Sequence, residues 1–238
     1  MGISLYMAMT AAEISACKSL PGDSAYMACH FSPYGTGLSN IPEQLPEGSL
    51  LLLNDRTPIC GHDASLIQEQ LESAAERLHC SAILLDFQRA ENPETESLCR
   101  TLSQKSSLPV VVSQTYATKL DCPVFLSPCP PNQPIAEYIS AWKDRSVWLE
   151  LAPCTTQIIV DKKGSTVSEL PYATTDFPHM DADLFCHYRI EKSNTQIVFT
   201  LTRTLEDVKN LLHSNQSGIC QYVGLWQELK DLEKEIKL

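Results

Sequence analysis

The chain has 238 residues, 43% of them apolar, with 10 cysteines and a formal charge of −11. An acidic chain without a basic cluster cannot neutralise phosphates, so neither nucleic acid nor an anionic membrane surface is an expected partner. No window reaches the roughly 18 apolar residues of a membrane span, and the N-terminus lacks the basic start and long apolar core of a leader, so a cytoplasmic protein is expected.

Residues 3–9 are a short apolar run, and Thr10 with Glu13 forms a capping-box pattern that opens a helix. A second run, 25–31, carries His30 and ends in a Pro- and Gly-rich loop containing Tyr34; a third, 49–53, delivers Asn54, Asp55 and Arg56. Helical spacing follows over 65–78, with Ser65 and Gln68 as its expected capping box. The next run, 80–88, is aliphatic and ends in Asp86 and Gln88, which alternation places on one face with Leu84. Asn92 before Pro93 starts another helix.

Runs at 108–113 and 123–127, a helix from Pro134, and a run at 147–152 with Trp148 and Glu150 continue the alternation. The rhythm then changes. Residues 156–160 and 165–170 flank a turn at 161–164, and 184–190 and 195–201 form a second antiparallel pair. Thr204 and Asp207 cap a helix, and 218–226 is a last apolar strand containing Tyr222 and Trp226. A closing helix carries Leu229, Leu232 and Ile236 at helical spacing.

Eight apolar runs, at 3, 25, 49, 80, 108, 123, 147 and 218, mostly separated by helices, are the rhythm of a (β/α)8 TIM barrel. The expectation is one α/β domain over 1–238 with a small antiparallel insertion at about 155–203, between strands 7 and 8. Several connections are short, which leaves an open doubly wound sheet as the alternative. No nucleotide-binding or nucleophile-elbow glycine motif stands at a strand end. The scattered cysteines read as reduced core thiols. Cys60-Gly-His62 and Cys186-His187 lack a second ligand pair, so no metal and no cofactor is expected.

The segment 81–88, Ser-Ala-Ile-Leu-Leu-Asp-Phe-Gln, resembles the D-G-x-D-x-D-x-E strand of glycoside hydrolase family 18, the chitinase-like barrels. His187-Tyr-Arg189, the run 199–203, the helix 205–212 and Gly224-Leu-Trp226 are similar to the C-terminal part of the chitinase-like proteins of spore-formers. The resemblance implies binding of an N-acetylglucosamine-containing glycan, with Trp226 as the floor of a sugar subsite. Two departures stand out. Gln88 replaces the proton-donating Glu, and Phe125-Leu-Ser-Pro128 replaces the Tyr-Asp pair of the sixth strand. Gln cannot protonate a leaving oxygen, so hydrolysis is expected to be weak at most, and whether the chain is an enzyme stays open.

Candidate catalytic residues are therefore Asp86, Gln88, Glu150 and Asp55, with Glu228 a further carboxylate near a strand end. Trp226, Tyr222, Trp148, His30 and Tyr34 are candidates for binding substrate. Each has a structural reading as well: Asp55 as a turn cap, Glu228 as a helix first-turn carboxylate, His30 as a satisfied core imidazole, the aromatics as packing. A non-catalytic regulatory barrel, and an unrelated barrel enzyme using Asp55, Asp86 and Glu150 on another small molecule, remain the alternatives. The expected partner is a carbohydrate or other small molecule.

Overall fold

A computed structural model describes residues 4–17, 23–173, 177–214 and 218–230. The strands β1 (Leu5–Met9), β2 (Ser24–Phe31), β4 (Leu50–Asn54), β5 (Ala82–Asp86), β6 (Val110–Ser113), β7 (Val124–Leu126), β8 (Val147–Leu151) and β14 (Ile219–Leu225) close into a parallel barrel. Closure comes from β1, which pairs with both β14 and β2, and β3 (Leu38–Ser39) adds an antiparallel edge to β2. The expected (β/α)8 barrel is the observed architecture. A separate antiparallel sheet lies in the chain between the seventh and eighth barrel strands.

Helices α1 (Ala11–Ala16), α2 (Ala64–Arg77), α3 (Pro93–Lys105), α4 (Gln114–Ala117) and α5 (Ile135–Ser140) stand between successive barrel strands, and α6 (Leu205–His213) precedes β14. The caps follow the sequence in three places: Thr10 with Glu13, Asn92 with Pro93 behind it, and Thr204 with Asp207. In α2 the cap is Asp63 rather than Ser65, because the Asp63 carboxylate accepts the Ser65 and Leu66 N–H groups and starts the helix earlier. The same helix ends in a Schellman turn, with Cys80 N bonded to Ala75 O and His79 in the left-handed region at φ 53°. That turn aims the chain into β5. The one-turn α4 and the short β3 carried no sequence pattern long enough to show. The closing-helix positions Leu232 and Ile236 lie outside the described residues; α7 (Trp226–Leu229) begins that segment.

Strand alternation fills the barrel. Ala8, Ala25, Leu50, Leu52, Ala82, Leu84, Val111, Phe125, Trp148 and Val223 form one buried cluster, with Tyr6, Met27 and Leu225 packed on it. Each large aliphatic side chain so buried contributes about 1.5–3 kcal/mol. Trp148 stacks on Tyr6 with ring centroids 5.7 Å apart.

The chain divides into two compact units. One comprises Met1–Ser127, Trp142–Glu150 and Ile219–Gln227 and holds the barrel strands; the other comprises Pro128–Ala141, Leu151–Gly218 and Glu228–Leu238. The second contains a five-stranded antiparallel sheet of β9 (Cys154–Asp161), β10 (Gly164–Leu170), β11 (His179–Asp181), β12 (Cys186–Lys192) and β13 (Gln196–Arg203), in the order β10-β9-β13-β12-β11. Four of these strands match the expected antiparallel pairs, and β11 is the fifth. Arg203 is buried there, its guanidinium donating to the Phe185, Leu184 and Cys129 carbonyls.

Candidate functional site

The C-terminal ends of β1, β2, β4 and β5 open into a cleft of about 430 Å³. His30, Asn54 and Asp86 lie side by side across it, since His30 pairs with Asn54 and Asn54 with Asp86 in the strand registers. His30 reaches this row through a β-bulge. Between Tyr26 and Cys29 the strand β2 advances three residues while β4 advances two, from Leu51 to Leu53. Without the extra residue, alternation from Ala25 and Met27 would turn Cys29 inward and His30 outward. The Met27 carbonyl freed by the bulge accepts the Asn54 side-chain amide at 2.8 Å.

The His30 ring is oriented at both nitrogens. Nδ1 lies 2.7 Å from the Phe31 carbonyl, which can only accept, so Nδ1 carries the proton. Nε2 then accepts from the Asn40 amide at 3.1 Å. Asn40 holds a left-handed backbone at φ 58° and also lines the cleft. Sequence patterning gives no signal for Asn40, because its contact with His30 is made through a loop.

Asp86 is half-buried at the end of β5, and its principal contact is Gln88, whose Nε2 donates to Oδ1 at 3.2 Å and Oδ2 at 3.4 Å. Burial pushes the Asp86 carboxyl above the usual carboxylate range; the Gln88 hydrogen bond opposes this and the nearby Asp55 charge adds to it. Asp55 plays a different part. It is 8% exposed, and its oxygens accept the backbone N–H groups of Gln88 at 3.1 Å and Arg89 at 2.8 Å. With the Ser113 hydroxyl on the Phe87 carbonyl at 3.0 Å, this clamps the turn after β5 and holds Gln88 over the cleft. Asp55 therefore positions the turn.

The remaining candidates are not among the residues that line this cleft. Glu150 is half-buried near the end of β8; alternation from Trp148 carries it onto the inner face of the barrel. Trp148, 9% exposed, belongs to the barrel core, where it stacks on Tyr6. Tyr222 is 0% exposed on the face of β14 opposite Val223, so it is a packing residue, and burial pushes its phenol up to about 12. Trp226 is half-buried in the first turn of α7 rather than at the end of the strand. Tyr34 is 98% exposed in the loop after β2. Glu228, in α7, has its carboxyl raised by burial. None of these six lines the cleft, where His30 is the one ring among the lining residues.

Among the described residues, no group of three or more His, Cys, Asp or Glu is arranged to hold a metal ion, and no helix is long and apolar enough to cross a membrane. No family model and no curated protein sequence matches the chain. Among solved structures it is similar to the Bacillus cereus spore cortex-lytic enzyme SleL, at 12% sequence identity and a TM-score of 0.49, over 93% of this chain and 70% of that one.

Proposed function

We propose that this barrel binds an N-acetylglucosamine-containing glycan at the cleft over β1, β2, β4 and β5, and hydrolyses it weakly or not at all. The observation that carries the reading is the Asp86–Gln88 pair, a carboxylate and an amide two residues apart at the mouth end of the fourth barrel strand. In the chitinase-like pattern that second position holds the acid. Gln88 keeps the hydrogen bond to Asp86 but has no proton to give a leaving alkoxide, and general acid catalysis is worth about 10²–10⁴ in rate. Asp86, Asn40 and the Gln88 carbonyl oxygen supply hydrogen-bonding groups for hydroxyl and acetamido substituents.

The lining of the cleft favours a second reading. Without a flat aromatic wall, it suits a compact polar ligand held by hydrogen bonds, as in a non-catalytic regulatory barrel. Calorimetric titration with chitobiose and chitotriose separates the two. The first reading expects saturable binding that Asp86→Ala and His30→Ala abolish while the thermal transition survives. No heat from either sugar with the intact wild-type protein would decide for the second.

A further inference from the structure

The antiparallel sheet of the second unit ends in a strand that nothing described covers. All seven residues of β10 are exposed, and β9 is its neighbour on one side alone. Natural edge strands are blunted by proline, inward lysine, a bulge or extreme shortness. β10 has no Pro or Lys, and its register with β9 runs without a shift from Gly164 to Leu170.

The direction of its free backbone groups follows from the ladder. The hydrogen bond from Ser193 N to Gln196 O marks that pair as one that exchanges bonds directly. Such pairs alternate, so Val198, Thr200 and Thr202 bond to β12, while Ile197, Phe199 and Leu201 bond to β9 through Val160, Ile158 and Thr156. That leaves Gln157, Ile159 and Asp161 of β9 to bond Ser168, Thr166 and Gly164. Ser165, Val167 and Glu169 therefore turn both N–H and C=O outward.

We infer that β10 pairs edge to edge and antiparallel with β10 of a second copy of this chain, about a two-fold axis through Val167, making one continuous sheet. Three features select this occupant and this register. Val167 is the middle of the strand, so the two-fold opposes Val167 with its own copy and Ser165 with Glu169, and every outward N–H meets an outward C=O. Charge is complementary: the Lys162-Lys163 turn at one end comes beside Glu169 of the other copy, and the two Glu169 side chains stay apart. The apolar row is continuous as well. Val167, Ile158, Phe199 and Ile190 are opposite one another across four strands on one face, and Val167 and Ile190 are 56% and 39% exposed. Pairing joins this row to its copy.

Sedimentation equilibrium of the full chain over a concentration series tests the inference. The wild type should dissociate reversibly from dimer to monomer on dilution, and more readily in high salt. Val167→Pro removes an outward N–H that β9 does not use, so it should abolish the dimer and leave the circular dichroism and thermal transition in place. If that variant loses its folded signal, Val167→Lys, which sets two ammonium groups against each other across the axis, must yield the monomer instead. A wild type that is monomeric at the highest soluble concentration overturns the inference, and so does a dimer that persists in a folded Val167 variant.

Discussion

The Gln88 amide donates to both oxygens of Asp86, at 3.2 and 3.4 Å, so the two side chains already stand where a carboxylic acid and a carboxylate could share one proton. Gln88→Glu creates that pair. Two carboxyl groups this close cannot both ionise easily, and the one that keeps its proton becomes a general acid near neutral pH. Hydrolysis of an aryl chitobioside should rise in Gln88→Glu, by up to ~10²-fold, and less for a phenol that leaves without protonation. An efficient wild type that Gln88→Ala leaves unchanged would remove Gln88 from the acid position.

Asp86 also predicts a pH dependence of stability. Burial raises its folded-state pKa above the ordinary carboxylate value of 3.8, so the folded state holds the proton more tightly than the unfolded chain. Stability from this group is then greatest below 3.8, falls as pH rises towards the raised value, and stays lower above it. Asp86→Asn keeps an acceptor for Gln88 and carries no charge. Its melting temperature should exceed that of the wild type at pH 7, and the difference should vanish at acid pH. Equal melting temperatures at both pH values would mean that the carboxylate is not desolvated in the folded state.

Asp55 is expected to act through the fold. Asp55→Ala leaves the part-buried Gln88 and Arg89 N–H groups without their carboxylate acceptor, which costs about 1–2 kcal/mol because water replaces part of the lost bonding. Urea unfolding should show this as a lower midpoint. A loss of sugar binding at full stability would instead make Asp55 a ligand contact.

The thiols should separate by burial. All ten cysteines are unpaired, with Cys60 and Cys220 exposed. Burial pushes Cys80 and Cys129 up to about 11 and Cys29 and Cys186 up to about 12, and it raises Cys99 as well. A thiol reagent at pH 8 should therefore label Cys60 and Cys220 quickly in the native protein, and all ten after denaturation without reductant. Peptide mapping that finds Cys29 or Cys99 among the fast sites would contradict the packing.

The sequence by itself determined the elements whose causes are local. Eight apolar runs of strand length, the Thr10, Asn92 and Thr204 caps and the 161–164 turn each depend on neighbours in the chain, and they suffice for a (β/α)8 barrel with an antiparallel insertion. Alternation along β5 was equally legible, so Asp86 and Leu84 could be placed on one face from the sequence. Tertiary structure decided what depends on other strands. His30 faces the cleft because a bulge against β4 reverses its parity, and an unbroken apolar run gives no sign of that extra residue. Asp55 is a clamp because the turn after β5 comes back over β4; Trp148 is a packing residue because closure of the barrel buries it, and Tyr222 because the opposite face of β14 is covered as well. A local period tells which residues share a face, but only the partner strands decide where that face looks and which groups are left for a ligand.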